Sequence, residues 1–288
     1  MEWINESHVL IVGLGLIGGS YAKALKRIGY NVYAIDKDPD AIDYAVKNEI
    51  IDGGSTKTDP ELIASADVII LALYPKDVCT WIKDNQQYFK PGLRLTDVTG
   101  VKSCIVDDVQ SILRPDAEFI AAHPMAGREV SGVQNSDDTI FKDANYIVVA
   151  TDKNSEAAIE WCKRLGRILG FRRVSVLSPK EHDRVIAFVS QLTHCIAVSL
   201  MTCTDNEHLV EYTGDSFRDL TRIARINENM WSELFFANKE SLLKEMDLFI
   251  NEFCKIKELI ERDDAEGLKE KMRLSTARRA LFDKKKKN

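Results

Sequence analysis

The residues that decide the fold read Val-Leu-Ile-Val-Gly-Leu-Gly-Leu-Ile-Gly and occupy positions 9–18. Four consecutive apolar residues followed by glycine are typical of a short strand buried on both faces of a parallel sheet. Beyond the glycines, apolar residues recur at helical spacing over positions 20–28, and Gly29 follows them. The sequence therefore predicts a strand, a glycine-rich turn and a helix in direct succession.

The same alternation continues through the first half of the chain. Asp38 and Pro39 are typical of a helix start, because aspartate caps free backbone N–H groups and proline fits the first turn. Strand-like apolar runs occur at 32–35, 68–73, 93–98, 119–122, 146–150 and 174–176. Strands that alternate with helices at this spacing predict an α/β fold with a Rossmann-type, doubly wound parallel sheet.

The glycines form a GxGxxG pattern whose three positions have different physical roles. Gly13 permits the tight turn, Gly15 lets the backbone approach a pyrophosphate, and Gly18 lets the helix pack closely on the strand. The unpaired N–H groups near Leu16 and Ile17 would then face the anion at the positive end of the helix dipole. A glycine-rich turn without a ligand is the alternative, but the strand–turn–helix context favours a dinucleotide site.

Asp36 ends the second predicted strand, 18 residues after Gly18. A carboxylate at this position accepts hydrogen bonds from the adenosine ribose hydroxyls and would repel a 2′-phosphate. The cofactor is therefore expected to be NAD, although the adjacent Lys37 could offset part of the repulsion of NADP.

The pattern changes at Ser178. From there to about residue 282 the apolar residues recur only at helical spacing, and Ser178 with Glu181 resembles a capping box. We therefore expect a dinucleotide-binding domain over residues 1–177 and an all-helical domain over residues 178–288.

The composition excludes several classes of protein. The 288 residues are 45% hydrophobic with a net charge of −6, which argues against disorder and against binding to nucleic acid or an anionic membrane. We expect no membrane segment, since the apolar runs are shorter than the roughly 20 residues of a span. The N-terminus lacks a signal-peptide pattern. Six cysteines without a CxxC pair predict reduced thiols, a cytoplasmic location and no metal site.

His123 is the candidate catalytic base. It lies where a predicted strand ends, and Pro124 and Gly127 shape the chain after it. The carboxyl ends of parallel strands are where such sheets bind ligands. An imidazole there can take a proton from a hydroxyl while hydride leaves the same carbon. A hydrogen-bonded structural histidine is the alternative.

Three blocks resemble the prephenate/arogenate dehydrogenase family: His-Pro-Met-Ala-Gly at 123–127, Ser-Gln-Leu-Thr-His at 190–194, and Phe-Arg-Asp-Leu-Thr-Arg-Ile-Ala at 217–224. With the glycine turn they occur in the family's order, and the resemblance runs from about residue 9 to residue 259. It implies oxidative decarboxylation of prephenate to 4-hydroxyphenylpyruvate, or of arogenate to tyrosine. It also implies NAD or NADP as cofactor and a homodimer formed through the helical domain.

The resemblance also implies roles for individual residues. His123 matches the catalytic histidine that contacts the ring hydroxyl, and Arg222 matches the arginine that binds a substrate carboxylate. His194 matches a histidine of the substrate pocket. Gln191 stands where many members have a second histidine, and we expect it to contact the substrate side chain in a different way. Apart from the resemblance, Glu129 is expected to gate the pocket or order water at its mouth.

The chain departs from the family where many members have a serine that supports the catalytic histidine. Here that position is Gly100. Thr99 is expected to supply the hydroxyl instead, and Ser103 is a weaker substitute.

Two other functions remain open. A β-hydroxyacid dehydrogenase or imine reductase would share the layout, but those enzymes usually carry a catalytic lysine on the first helix of the second domain, and residues 182–200 contain none. An NAD-binding redox sensor would keep the glycine turn but has no need for His123, His194 and Arg222 together. Gln191 and Arg128 leave the choice between prephenate and arogenate undecided.

Overall fold

A computed structural model describes residues 7–205 and 208–282. The strands are β1 His8–Val12, β2 Asn31–Ile35, β3 Gly53–Ser55, β4 Val68–Leu71, β5 Arg94–Asp97, β6 Glu118–Phe119, β7 Ala121–Pro124, β8 Asn145–Val149 and β9 Arg173–Leu177. The helices are α1 Leu16–Arg27, α2 Pro39–Lys47, α3 Pro60–Ser65, α4 Pro75–Asn85, α5 Val106–Ile112, α6 Glu156–Ile168, α7 Pro179–Ile186, α8 Thr193–Thr202, α9 Asp215–Thr221, α10 Glu228–Ala237, α11 Lys239–Glu261 and α12 Ala265–Arg279.

The first six strands form one parallel sheet in the order β3-β2-β1-β4-β5-β6. The chain builds outward from β1 to one edge and then returns to β4 on the other side. Ligands of such sheets bind at the carboxyl ends of the strands where the order reverses, here β1 and β4. The prediction of a Rossmann-type, doubly wound sheet is therefore confirmed.

The last three strands correct one detail of that prediction, since they form a separate sheet in the order β7-β8-β9. β7 pairs antiparallel with β8, and β8 pairs parallel with β9. The predicted strand at 119–122 is split, because Phe119 ends the first sheet and Ala121 begins the second. Apolar runs identify strands but do not encode the direction of their pairing.

The core lies on both faces of the parallel sheet. In β1, Val9 and Ile11 pack into the cluster on one face, while Leu10 and Val12 pack into the cluster on the other. All four side chains are at most 2% exposed. This two-sided burial explains why the strand reads as a continuous apolar run rather than an alternating one.

The helical part begins as predicted. The Ser178 side chain accepts from the Glu181 backbone N–H, and the Glu181 carboxylate accepts from the Ser178 backbone N–H, which completes the capping box. Asp38 likewise caps α2 by accepting from Asp40. From α7 to α12 the described residues contain helices and no strand.

One helical run in this region bears on the expected absence of a membrane segment, which stays a prediction. α7, a π-helical segment (Ala187–Leu192) and α8 form a continuous 24-residue run, Pro179–Thr202, that could cross a membrane by length and composition alone. Polar residues such as Lys180, Glu181 and Asp183 interrupt the run, so it does not read as one continuous apolar stretch. His182 and Asp183 lie buried within this run and are hydrogen-bonded, while 28% of its apolar window is buried.

Within the described parts of the chain, the residues up to Lys239 form one compact unit, and those from Glu240 onward form a second. The second unit consists of most of α11 and α12, and Lys271 of α12 forms an ion pair with Glu252 of α11. The predicted boundary at residue 178 marks the change from strands to helices and stays a prediction.

Candidate active site

The glycine turn lies at the carboxyl end of β1. Gly13 has a φ of +97°, and a Cβ there would collide with the carbonyl oxygen of Ala72, which follows β4. A Cβ at Gly18 would collide with the carbonyl oxygen of Gly13. Gly15 differs, since nothing lies within 4 Å of the position its Cβ would take. Two glycines therefore allow the turn to form, and the third leaves open space above it.

That open space faces the start of α1. Gly15 precedes Leu16 as the N-cap of the helix, and no side chain caps the helix there. The first-turn N–H groups of a helix have no partner within the helix and attract anions. The geometry therefore suits a phosphate group at Leu16 and Ile17, where the sequence predicted it.

Asp36 is tied to the glycine turn. Its Oδ2 accepts from the Leu14 backbone N–H at 2.5 Å, and its Oδ1 accepts from the Asp38 N–H at 2.9 Å. Each carboxylate oxygen has a second lone pair, so the side chain can still accept from ribose hydroxyls. Lys37 beside it is exposed.

His123 lies on β7 and begins a chain of hydrogen-bonded side chains. Its Nδ1 is 2.8 Å from His182 Nε2, and His182 Nδ1 is 2.7 Å from Asp183 Oδ1. Burial, helped by the neighbouring His182 and Lys102, holds the pKa of His123 well below its ordinary value. Burial also lowers the pKa of His182, against the opposing effect of Asp183. Both imidazoles are therefore neutral near pH 7.

A buried ion pair supports the strand that carries His123. The Lys102 and Asp97 side chains are 0% exposed, and Lys102 Nζ lies 2.5 Å from Asp97 Oδ2. Lys102 also donates to the Ala122 carbonyl oxygen at 2.7 Å, while Asp97 Oδ1 accepts from the Ala122 N–H at 3.1 Å. Burial lowers the pKa of Lys102, and Asp97 opposes that shift. The pair holds both backbone groups of the residue before His123.

Thr99 belongs to this ion-pair network. Its hydroxyl donates to Asp97 or to the Val101 carbonyl oxygen, and it accepts from Lys102 Nζ at 3.0 Å. Among the described contacts none joins Thr99 to His123, so its catalytic role stays a prediction.

The other two residues considered for the missing serine lie differently. Ser103 contributes its backbone N–H to Asp183 at 2.8 Å. A Cβ at Gly100 would lie 3.9 Å from His123 Nε2. The family's serine position therefore does face the imidazole.

His194 lies on α8 and presents one ring face to an aromatic neighbour. Its Nδ1 donates to the Ser190 carbonyl oxygen at 2.9 Å, and its ring centroid lies 3.7 Å from that of Trp231. Burial lowers the pKa of His194, while Ser190 and Glu129 oppose the shift. The neutral ring therefore leaves Nε2 as an acceptor.

Arg222 pairs with Glu129. The Arg222 Nη1 lies 2.6 Å from Glu129 Oε1, and the two side chains are 66% and 39% exposed. Glu129 lies six residues after His123, so the pair brings a guanidinium from the helical region to the loop that follows the imidazole. Exposed ion pairs of this kind contribute only about 0–1 kcal/mol, so another carboxylate can replace Glu129 at low cost.

Gln191 lies in the π-helical segment and is 1% exposed. Its Nε2 donates to the Leu234 carbonyl oxygen at 2.9 Å, and its Oε1 accepts from Asn238 at 2.8 Å. Both ends of the amide therefore join the π-helical segment to the last turn of α10. Contact of Gln191 with a substrate stays a prediction.

The sequence reasoning missed five residues of this site: Asp97, Lys102, His182, Asp183 and Trp231. One signal was available, because Asp97 ends a buried parallel strand, where such sheets bind ligands. The same rule was applied to His123, but its strand β7 ends at Pro124 and pairs antiparallel with β8. Nothing local distinguishes His182, which lies 59 residues from the imidazole it contacts.

Comparisons with known proteins cover both halves of the chain. The family description "Prephenate dehydrogenase, nucleotide-binding domain" matches residues 21–175, and "Prephenate dehydrogenase, dimerization domain" matches residues 178–274. Prephenate dehydrogenase of Bacillus subtilis is 32% identical over 90% of this chain and 72% of its own length. Cyclohexadienyl dehydrogenase of Zymomonas mobilis is 28% identical over 95% of this chain and 96% of its own.

A solved structure gives the same result. Prephenate dehydrogenase from A. aeolicus, crystallised with hydroxyphenyl propionate and NAD+, is 32% identical, with a TM-score of 0.88 over 98% of this chain and all of that one.

Proposed function

The chain belongs to the prephenate dehydrogenase family, and we propose on that basis that it converts prephenate to 4-hydroxyphenylpyruvate with NAD. The observation that supports this reaction is the ion pair between Arg222 of the helical part and Glu129, which lies six residues after His123. Through Glu129, the guanidinium reaches the loop that begins at the imidazole. A base for a hydroxyl and a cation for a carboxylate are the two groups this substrate requires.

The proton path follows from the geometry of His123. Nε2 faces Gly100 and takes the proton of the C4 hydroxyl, and NAD, when bound, would supply the acceptor for the hydride of C4. The ring carboxylate then leaves as carbon dioxide, and its bonding electrons complete the aromatic ring. The proton on Nε2 returns to the C4 oxygen, which becomes the phenol. His123 therefore takes one proton from the C4 oxygen and returns it, and aromatisation of the ring supplies the driving force.

The residues around the glycine turn hold the cofactor. The first-turn N–H groups after Gly15 bind the pyrophosphate, and Asp36 binds the adenosine ribose. The carboxylate of Asp36 disfavours a 2′-phosphate, which supports NAD over NADP. The positive charge of the adjacent Lys37 reduces that preference.

We also propose a homodimer formed through the helical part in the cytoplasm, with residues 1–177 binding the dinucleotide. The matched dimerization-domain family over residues 178–274 supports this arrangement. Partners other than a small-molecule substrate and a second copy are not expected.

The assay that tests this proposal follows NADH absorbance with prephenate and arogenate, each with NAD and NADP. We expect turnover with prephenate and NAD. Turnover with arogenate alone would assign the alternative activity, since the two substrates differ only in a pyruvyl or alanyl side chain. NAD binding without turnover on either substrate would indicate a sensor and overturn the proposal.

Gly15→Val separates cofactor binding from folding. Because space around Gly15 is open, we expect an unchanged melting temperature. The added side chain would block the pyrophosphate, so the Kd for NAD should rise about tenfold or more, or about 1.4 kcal/mol. Titration calorimetry with NAD measures this, and Gly214→Val, also in open space, serves as the control. A normal NAD affinity in Gly15→Val would contradict the assignment.

Arg222→Gln is expected to raise the KM for prephenate. A hydrogen bond to a charged group contributes about 1.5–3 kcal/mol, so the increase should be roughly 10–100-fold. The Kd for NAD should not change. Arg218→Gln is the matched control, because Arg218 is another exposed arginine, paired with Asp215. Equal losses for substrate and cofactor would show damage to the fold instead.

A further inference from the structure

The contacts around Asp183 restrict where protons can lie in the site. Asp183 Oδ1 accepts from the backbone N–H of Lys102 at 2.9 Å, and Oδ2 accepts from that of Ser103 at 2.8 Å. Hydrogen bonds from His182 and Ser103 outweigh the effect of burial and hold the pKa of Asp183 below its ordinary value. An ionised carboxylate can only accept, so His182 Nδ1, at 2.7 Å from Oδ1, must carry a hydrogen.

The other ring nitrogen of His182, Nε2, can only accept a hydrogen bond. The ring is 0% exposed, and a neutral imidazole carries only one N–H. With Nδ1 donating to Asp183, Nε2 is left as an acceptor. It lies 2.8 Å from His123 Nδ1, which must therefore be the donor.

The hydrogen on Nδ1 decides which nitrogen of His123 can act as the base. Neutral His123 with its hydrogen on Nδ1 has a free lone pair on Nε2, the nitrogen that faces Gly100. The opposite tautomer would place a hydrogen on Nε2 and leave no site for the substrate proton. One ring orientation and one tautomer thus follow from two backbone amides, a carboxylate and a second imidazole.

We propose that His182 is a positioning residue, which, held by Asp183, fixes His123 in the Nδ1–H tautomer so that Nε2 is the proton acceptor. This inference rests on the proposed function for its kinetic consequence, but the tautomer itself does not depend on which substrate is used. In this chain Gly100 supplies no hydroxyl to His123, so the hydrogen bond that His123 donates to His182 is the described side-chain contact that orients the ring.

Nuclear magnetic resonance tests the tautomer directly. Long-range proton–nitrogen correlation of the 15N-histidine-labelled protein at neutral pH distinguishes a protonated ring nitrogen from an unprotonated one. The chain has 5 histidines, so the His123 signals can be assigned as those lost in His123→Asn. We expect Nδ1 protonated and Nε2 unprotonated in both His123 and His182. A hydrogen on Nε2 of either ring would overturn the proposal.

Kinetics test the consequence. His182→Leu removes the acceptor, and we expect kcat to fall by about 10–10²-fold, which is part of the roughly 10²–10⁴-fold that a positioned base contributes. The KM for NAD should stay the same. His182→Gln offers an amide oxygen to His123 and should recover part of kcat. His8→Leu, a histidine beside Tyr33 on the sheet, is the matched control and should keep full activity.

The two measurements separate the possible failures. Loss of kcat without a change in the His123 tautomer, or no recovery in His182→Gln, would assign His182 a purely structural role and refute the proposal. If wild-type protein turned over neither substrate, the proposed function would fail, while the tautomer assignment would still be decided by the spectra.

Discussion

Replacing His123 with asparagine should lower kcat by about 10²–10⁴-fold, the contribution of a positioned general base. Asparagine places its amide near the position of the imidazole Nδ1, so it can still donate to His182 Nε2. It has no group at the position of Nε2, which is the proton acceptor. We therefore expect NAD binding and the melting temperature to be retained while turnover is lost. Full activity in His123→Asn would remove this residue from the mechanism.

The dependence of kcat on pH gives a second measure of the same residue. Burial, together with the neighbouring His182 and Lys102, lowers the pKa of His123. The base is active when neutral, so a lowered pKa keeps it active further into the acidic range. We expect log kcat to be level near pH 7 and to decline only below the ordinary histidine value of about 6.5. That decline should be absent from the residual activity of His123→Asn, and a midpoint above about 6.5 would contradict the assignment.

Replacing Lys102 with methionine should lower the free energy of unfolding by about 3–5 kcal/mol, the typical effect of breaking a buried ion pair. The loss is large because Asp97 would remain as a buried carboxylate without its cation. The Lys102 ammonium also donates to the Ala122 carbonyl oxygen, which would lose its partner. Urea denaturation followed by circular dichroism measures the change.

The control for this prediction is Lys26→Met. Lys26 pairs with Asp52 at 2.6 Å, but the two side chains are 27% and 31% exposed. Pairs that reach solvent contribute about 0–1 kcal/mol. Similar losses for Lys26→Met and Lys102→Met would mean that burial of the Lys102–Asp97 pair does not set its energetic importance.

The local parts of the fold could be predicted from the sequence. The strand at residues 9–12, the glycine turn, the helix after it and the capping box at Ser178 are all present. Each depends on the chemistry of neighbouring residues, such as a side chain that caps N–H groups three positions away. The pairing of β7 with β8 depends on residues about 25 positions apart, and the apolar pattern carries no information on its direction.

The candidate site likewise has parts that could be predicted from the sequence and parts that only the fold brings together. The sequence alone determined the dinucleotide turn, Asp36 at the end of β2, and the candidacy of His123 and Arg222, because residue type and position along a strand or motif decide those features. Only the tertiary structure decided that His182 and Asp183 hold His123, that Lys102 is buried against Asp97, and that Gln191 is used for packing. These contacts join residues 59, 5 and 43 positions apart. They form only once the folded chain excludes water and each buried polar group must find a partner within it.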